Sequence, residues 1–249
     1  MNTRSTEAAD TAMPGIAKSA WASMQPHDVE RFGEVILDPE ERRRWCTAIL
    51  IGGLPYIWTT FAALERQMFL DRLDLADGHR VLLIGEGLAG IGIDEEIKSL
   101  VGPTGEVVIV DFLEQVRNLV SSGQWPQWDW SYADDFASES FDSVAIFQGV
   151  AHANKWSQAA SHLLRVLKHA RPIVLGEVVF GPPMAEVIYQ DAHVRYVFTK
   201  IWEAIFPGQP FEEQPYWSPE ALEAAFDGLV IDNGSRAAGG VELFWGTKA

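Results

Sequence analysis

The chain has 249 residues, with 19 Lys and Arg against 35 Asp and Glu, which gives a formal net charge of −16 at pH 7. This length accommodates one α/β domain with accessory helices, and no internal repeat suggests a second domain. The negative charge repels phosphate backbones and anionic lipid surfaces, and only a short basic run at 42–44 opposes it. We therefore expect no nucleic-acid partner and no association with a membrane surface.

Cysteine content and hydropathy indicate the compartment. Cys46 is the one cysteine, so no disulfide can form within the chain, and the first residues lack the layout of a secretory signal. The uncharged stretch from Thr47 to Leu64 contains two glycines and a proline and is shorter than the roughly 20 apolar residues of a membrane-spanning helix. We expect a cytoplasmic protein. The oligomeric state stays open, with a homodimer as one option.

The N-terminal segment precedes the main pattern. Residues 1–20 are rich in Ala, Thr and Ser and predict a mobile tail. From Pro26 to Leu73 apolar residues recur at helical spacing, and Asp38-Pro39-Glu40-Glu41 has the cap, proline and acids that begin a helix. We expect residues 21–74 to form an N-terminal helical lid.

The middle of the chain predicts a parallel sheet. Four short apolar runs alternate with helical stretches, at Arg80 to Ile84, Val107 to Val110, Ser143 to Phe147 and Ile173 to Glu177. Fully apolar strands that alternate with helices are typical of a parallel sheet covered on both faces. Residues Ser157 to Leu167 have the apolar spacing of a helix that lies on such a sheet.

The last part of the chain predicts an insertion and a hairpin. Residues 181–217 contain four prolines and many aromatic side chains around a predicted helix from Met184 to Phe206, and we interpret them as a cap inserted into the core. Ser218-Pro219-Glu220 then begins a helix that runs to Phe226. Two strands, near 229–233 and 241–246, are joined by a glycine-rich turn and predict a closing hairpin.

The strongest local motif is the glycine loop Gly85-Glu-Gly-Leu-Ala-Gly-Ile-Gly92, which follows the first predicted strand. Glycines at this point let backbone amides approach a ligand at a helix N-terminus. Asp111 ends the next predicted strand, where a carboxylate can hold the two hydroxyls of a ribose. The motif predicts a nucleoside-bearing ligand. Because Gly85, Gly87 and Gly90 also match G-x-G-x-x-G, an NAD or FAD site stays an alternative.

Two further segments carry a resemblance to a known family. Ser140-Phe-Asp-Ser-Val144 and Arg165-Val-Leu-Lys-His-Ala-Arg-Pro-Ile-Val-Leu-Gly-Glu177 resemble motifs of class I S-adenosylmethionine-dependent methyltransferases, closest to the ubiquinone/menaquinone-biosynthesis type. The resemblance spans roughly Leu75 to Ala249, which we take as the methyltransferase core domain. It implies a Rossmann-like α/β fold with a seven-stranded, mostly parallel sheet, a C-terminal antiparallel hairpin, an N-terminal helical extension and an inserted cap. It also implies S-adenosylmethionine as the cofactor.

The resemblance assigns cofactor-binding roles to residues of this chain. The glycine loop would wrap the methionine and ribose parts, Asp111 would hold the ribose hydroxyls, and Phe112 would lie against the adenine. Residues just after the third predicted strand would line the sulfonium end. Two positions compete for the adenine amino group, Asp129, which Trp130 follows, and Asp134. The cofactor-binding candidates are Gly85, Glu86, Gly87, Gly90, Asp111, Phe112, Asp129, Trp130, Asp134, Gln148 and Gly149.

Candidates for contact with the acceptor lie later in the chain. His152 follows the strand at Ser143 to Phe147, where an imidazole can serve as the catalytic base near neutral pH or can be structural. Glu177 can bind substrate or accept a proton, or it satisfies backbone donors. Tyr189 and His193 are one turn apart on the predicted cap helix and would share a face toward the substrate, unless they only pack the helix.

The tryptophan content and the spacing of the histidines bear on which substrate and which metal the chain could bind. Trp58, one of ten tryptophans, falls in a segment that the family uses as a lid, where its ring suits an apolar substrate, although packing is an equal interpretation. Six scattered histidines and one cysteine give no metal-ligand spacing. We predict methyl transfer to a small, largely apolar acceptor that is phenol-, quinone- or secondary-metabolite-like.

Three other functions stay open at this point. Leu83 stands where the family usually has an acid, so an S-adenosylmethionine-binding enzyme that catalyses a cyclisation or rearrangement without methyl transfer is one alternative. An NAD- or FAD-dependent oxidoreductase and a non-catalytic binding protein are the others.

Overall fold

The computed structural model describes residues 43, 46, 58, 62–122, 124, 135–150, 153, 156–178, 192–210, 218–238 and 241–249. Helices and strands alternate along these ranges. In chain order they are α1 (Ala63–Arg72), β1 (Arg80–Gly85), α2 (Leu88–Ile91), α3 (Ile93–Val101), β2 (Glu106–Asp111), α4 (Leu113–Ser121), β3 (Ser143–Phe147), α5 (Trp156–Val166), β4 (Pro172–Val178), α6 (Ala192–Ile205), α7 (Pro219–Phe226), β5 (Val230–Ala238) and β6 (Val241–Lys248).

The strands form one mixed sheet in the order β2-β1-β3-β4-β6-β5. β1 runs parallel to β2 and β3, and β3 runs parallel to β4. β6 is antiparallel to both β4 and β5. The predicted α/β alternation and the closing antiparallel strands are confirmed. Six strands lie in the described part of the chain, where the resemblance implied seven.

The central strands β1, β3 and β4 are mostly apolar because helices cover both faces of the sheet. Phe69 of α1 is fully buried, and its ring lies against Gly176 of β4 on one face. Phe226 of α7 stacks on Phe244 of β6 on the other face, with ring centroids 5.0 Å apart. α7 begins as predicted, because the Ser218 hydroxyl accepts a hydrogen bond from the amide of Ala221 at 3.3 Å.

The strand order creates a topological switch point. From β1 the chain crosses to β2 on one side, and it later returns to β3 on the other side of β1. Loops that leave the carboxyl ends of β1 and β3 therefore diverge, and a crevice opens between them. The fold thus places the end of β1 and the residues after β3 around one crevice.

The opposite edge of the sheet is held by Asp142, which precedes β3. Its carboxylate accepts hydrogen bonds from the amide of Arg80 at 3.0 Å and from Lys168 Nζ at 2.8 Å. Burial favours the neutral carboxyl, but these hydrogen bonds outweigh it and lower the pKa of Asp142. The Phe-Asp-Ser and Leu-Lys parts of the family-like motifs therefore join at the amino edge, away from the crevice.

Several predicted segments lie outside the described residues. These are the tail at 1–20, most of the lid at 21–74, and residues 181–191 and 211–217 of the predicted cap. Helix α1 lies in the predicted lid, and α6 lies within the helix predicted from Met184 to Phe206. Among the helices that the structure describes, none has the length and apolar character needed to cross a membrane.

A substitution at Gly85 can test how closely β1 and β3 approach each other at this crevice. A methyl group at Gly85 would lie far inside van der Waals contact of the Phe147 carbonyl oxygen and 2.8 Å from Leu88 Cδ2. We expect Gly85→Ala to lower the free energy of unfolding by about 2–3 kcal/mol, because a strand backbone must move. Urea denaturation measures this loss.

Gly92→Ala is the matched control. Gly92, unlike Gly85, has a positive φ, 75°, and a methyl group there would meet nothing within 4 Å, so only the backbone conformation costs about 1–2 kcal/mol. A loss at Gly85 no larger than the loss at Gly92 would contradict the proposed close approach of β1 and β3.

Candidate functional site

The glycine loop leaves β1 and forms the first side of the crevice. Gly87 has a φ of 66° and begins α2, and Gly92 ends α2 and begins α3. The left-handed conformation at Gly87 suits glycine, because other residues adopt it at a cost. It lets the amides of Gly87 and Leu88 point toward the end of β2.

Asp111, at the end of β2, accepts hydrogen bonds from these amides. Its Oδ1 accepts hydrogen bonds from the amides of Gly87 at 3.1 Å and Leu113 at 2.9 Å, and its Oδ2 accepts one from Leu88 at 3.0 Å. A carboxylate has about four acceptor sites, so Oδ2 retains capacity for another donor. Asp111 is exposed. The carboxylate therefore links the ends of β1 and β2 and still presents acceptor capacity to a ligand.

The neighbouring candidates differ in exposure. Phe112 is 1% exposed and begins α4, so its ring lies in the core in this structure. Glu86 is also buried, at 6% exposure, whereas Gly90 is exposed on α2. The roles of these residues toward adenine and methionine stay predictions.

Four of the predicted residues meet on the other side of the crevice. The amide of Gly149 donates to Glu177 Oε2 at 2.7 Å. The Gln148 side chain is oriented by its neighbours, because only one orientation lets its nitrogen donate to Glu177 Oε1 at 3.0 Å. Its oxygen then accepts from Trp58 Nε1 and from the Val178 amide. We call Trp58, Gln148, Gly149 and Glu177 the rim cluster.

The rim cluster holds an unusual backbone conformation. Gln148 has a φ of 66° and Gly149 a φ of 108°. A non-glycine residue with positive φ costs roughly 1–3 kcal/mol and persists only where its surroundings impose it. Hydrogen bonds to Glu177 supply that constraint, so the turn after β3 is fixed before any ligand binds.

Trp58 contributes to this cluster through packing as well. It is fully buried, and its ring lies on Phe147 with centroids 4.4 Å apart. The packing interpretation of Trp58 therefore agrees with the structure, and direct contact with a substrate stays a prediction. For Glu177, the structure places its carboxylate on backbone and amide donors of the turn.

The remaining candidates cannot be placed. His152, Asp129, Trp130, Asp134 and Tyr189 lie outside the described residues. His193 lies in α6, but its side chain is not described. The choice between the two acids for adenine stays open. Within the described ranges, no cluster of histidine, cysteine and acidic side chains could hold a metal ion.

Sequence analysis missed one acid at this edge of the sheet. Glu242 of β6 is 4% exposed and lies directly opposite Glu177 of β4. Burial raises the pKa of the Glu242 carboxyl to about 7, and the negative charge of Glu220 adds to the effect. A signal was present, because Glu242 interrupts the apolar run from Val241 to Phe244.

Comparisons with known proteins bear on this site. No family model matches the chain. A ubiquinone/menaquinone biosynthesis C-methyltransferase from Saccharophagus degradans is 29% identical over 180 residues, which cover 61% of this chain and 69% of the relative. The same enzyme from Ectopseudomonas mendocina is 28% identical, covering 64% and 63%. The chain thus spans about two thirds of these relatives. The resemblance predicted from the motifs is confirmed.

Solved structures give weaker similarities. An S-adenosylmethionine-dependent methyltransferase from Aquifex aeolicus has a TM-score of 0.47 and 14% identity, covering 74% of this chain and 89% of the other. One from Archaeoglobus fulgidus has the same TM-score and identity, covering 76% and 93%.

The hydrogen bond between Gln148 and Glu177 can be tested by exchanging the acid and the amide at these two positions. In Glu177→Gln, the new side-chain oxygen can still accept from the Gly149 amide, but the new side-chain nitrogen would face the side-chain nitrogen of Gln148. The buried Gln148 nitrogen would then have no acceptor. We expect a loss of about 1–3 kcal/mol in the free energy of unfolding. Adding Gln148→Glu restores an acceptor for Trp58, Val178 and the new amide, so the double variant should recover most of the loss.

A double-mutant cycle in urea measures the coupling between the two positions. Strictly additive losses would show that Gln148 and Glu177 do not interact as described.

Proposed function

We propose that this chain is an S-adenosylmethionine-dependent methyltransferase whose acceptor is small and largely apolar. The enzyme class agrees with the names of the relatives, which are C-methyltransferases of quinone biosynthesis. One observation carries the proposal from the structure. Beside the switch point between β1 and β3, the glycine loop after β1 binds the aspartate that ends β2 at the carboxyl edge of the sheet, where open α/β sheets bind ligands.

The residues present fit a nucleoside sulfonium. Asp111 retains an acceptor site on Oδ2 for a ribose hydroxyl, and the amides of Gly87 and Leu88 hold its carboxylate in place at the start of α2. S-adenosylmethionine, when bound, supplies an electrophilic methyl group on a positively charged sulfur. Glu86, which follows β1, and Glu177, near the end of β4, are buried acids and give the crevice the negative charge that such a cation favours.

The rim cluster would position the reacting end. Methyl transfer is an in-line displacement, so the protein mainly aligns the acceptor and excludes water. The turn at Gln148 and Gly149 is held rigidly by Glu177, and the buried ring of Trp58 closes its apolar side. We assign these residues to positioning. The base role of His152 and the acceptor contacts of Tyr189 and His193 stay predictions from the sequence, because the structure does not describe these side chains.

No observation favours the competing functions. Cyclisation or rearrangement without methyl transfer would leave the same cofactor crevice, and product analysis separates the two because only methyl transfer forms S-adenosylhomocysteine in step with product. The absence of nucleic-acid partners, a cytoplasmic location and a homodimer stay predictions from charge and composition.

Asp111→Ala tests the cofactor site. We expect the wild-type chain to bind S-adenosylhomocysteine with micromolar affinity, on the order of −8 kcal/mol, and the variant to bind at least about tenfold more weakly. The reason is that the ribose loses its carboxylate and the loop amides lose their acceptor. Titration calorimetry measures both values.

Glu106→Ala is the control on the same strand. Glu106 lies at the amino end of β2, where its carboxylate is half exposed and pairs with Arg80 Nε at 2.7 Å, so its loss should leave affinity unchanged. Undiminished binding by Asp111→Ala would remove this residue from the site, and a wild-type chain that binds neither adenosyl compound would refute the proposed function.

A further inference from the structure

Glu242 is a buried acid at the carboxyl edge of the sheet that the proposed cofactor site does not use. It is the second residue of β6 and pairs directly with Glu177 in the antiparallel register of β4 and β6. Residues directly opposite each other have Cβ atoms about 4.5–5.5 Å apart and point to the same face. Because Glu177 binds the Gly149 amide at 2.7 Å, Glu242 lies beside the rim cluster.

The Glu242 carboxyl has nothing to bind in the described part of the chain. Its side chain is 4% exposed, and it forms no hydrogen bond or ion pair with another described residue. No Glu242 oxygen is among the fully buried side-chain atoms that lack a hydrogen-bond partner, so its carboxyl oxygens reach the surface of the described chain. A ligand that brings its own donor would complete this group.

The charged groups around Glu242 are mostly acids. Glu177 faces it from β4, and Glu220 and Glu223 lie on α7, which packs on this face through Phe226. Arg236 of β5 is one register position away, and its guanidinium binds an acid of α1 on the opposite face. Among the described residues, no cation therefore neutralises Glu242.

We propose that Glu242 binds the hydroxyl of an aromatic acceptor and accepts its proton, an inference that rests on the proposed function. The O–H bond breaks and its proton passes to the Glu242 carboxylate, which leaves a phenolate. An oxygen or ring-carbon electron pair of the phenolate then forms the bond to the methyl carbon. If a ring carbon attacks, its C–H bond breaks afterwards, the proton passes to solvent water, and the electron pair restores the aromatic ring. The carbon–sulfur bond breaks with its electron pair left on sulfur, so charge and atoms balance.

The acidity of the two groups selects the acceptor class. With a pKa of about 7, the Glu242 carboxyl is ionised in part of the molecules at neutral pH and is a stronger base than an ordinary carboxylate. A phenolic hydroxyl has a pKa of about 10, which is within reach of this base. A hydroxyl as weakly acidic as water, at about 15.7, is not.

The binding experiment uses the full chain saturated with S-adenosylhomocysteine and three probes: 1-naphthol, its ether 1-methoxynaphthalene, and the cation 1-(aminomethyl)naphthalene. We expect the wild type to prefer the naphthol over the ether by about tenfold, which corresponds to one hydrogen bond. Glu242→Leu should lose this preference. Glu106→Gln, which changes an exposed acid at the amino end of β2, is the control and should keep it.

Two results overturn the proposal at this stage. In the first, the wild-type chain binds the adenosyl compound but binds the naphthol and the ether equally well, or binds neither of these two probes. The other is tighter binding of the amine than of the naphthol, since this would assign the acidic edge to a cationic acceptor. Failure to bind S-adenosylhomocysteine at all would instead refute the proposed function, so the two failures are distinguishable.

The proton transfer has its own test in the formation of S-adenosylhomocysteine from S-adenosylmethionine and 1-naphthol. The wild-type rate should rise as pH increases through about 7, because the carboxylate is the active form. Glu242→Gln, which keeps a hydrogen-bonding group of the same shape, should bind naphthol yet react about a hundredfold more slowly. Equal rates, a rate independent of pH, or no turnover of bound naphthol would remove the proton-accepting role.

A ligand-free readout checks the titration of Glu242. Because its folded-state pKa is raised from 4.5 to about 7, the folded chain holds the proton more tightly than the unfolded chain. Stability from this group is present below pH 4.5 and is lost as the pH rises to about 7. The wild type should therefore lose stability across this window relative to Glu242→Gln, and parallel curves would show that Glu242 is not a perturbed acid.

Discussion

The carboxylate of Glu177 determines the arrangement of this edge of the sheet. It accepts the Gly149 amide with one oxygen and the Gln148 side chain with the other, and so holds two consecutive residues at positive φ. Through Gln148 it also fixes the buried indole of Trp58, and Glu242 lies opposite it in the register of β4 and β6. A single buried carboxylate with good donors therefore joins the turn after β3 and Trp58 to β4.

The two edges of the sheet have different chemistry. At the amino edge, Asp142 binds Lys168 and the amide of Arg80, so the acid is paired and its role is to hold strands together. At the carboxyl edge, acids are satisfied by backbone amides, as at Asp111 and Glu177, or are left without a partner among the described residues, as at Glu242. This asymmetry suits a cationic cofactor and an acceptor that must lose a proton.

Much of the fold could be predicted from local pattern. The apolar runs at β1, β2, β3 and β4 and the proline-capped start of α7 lie where the sequence places them, because strand periodicity and helix caps depend on neighbouring residues. The glycine loop could be recognised for the same reason. Its place at the same edge of the sheet as Asp111 followed from the rule that parallel strands end at one edge, but the hydrogen bonds from its amides to Asp111 were not predicted.

The sequence by itself determined the alternation of helices and strands, the glycine loop and the resemblance to methyltransferases, since each is written in contiguous residues. Only the tertiary structure decided that Trp58 joins the turn after β3, and that Glu242 lies opposite Glu177. The physical reason is that strand register and side-chain burial depend on pairing between distant segments, and shifting a strand by one residue would turn Glu242 to the other face. The pKa of about 7 for that acid follows from its burial, which no local pattern specifies.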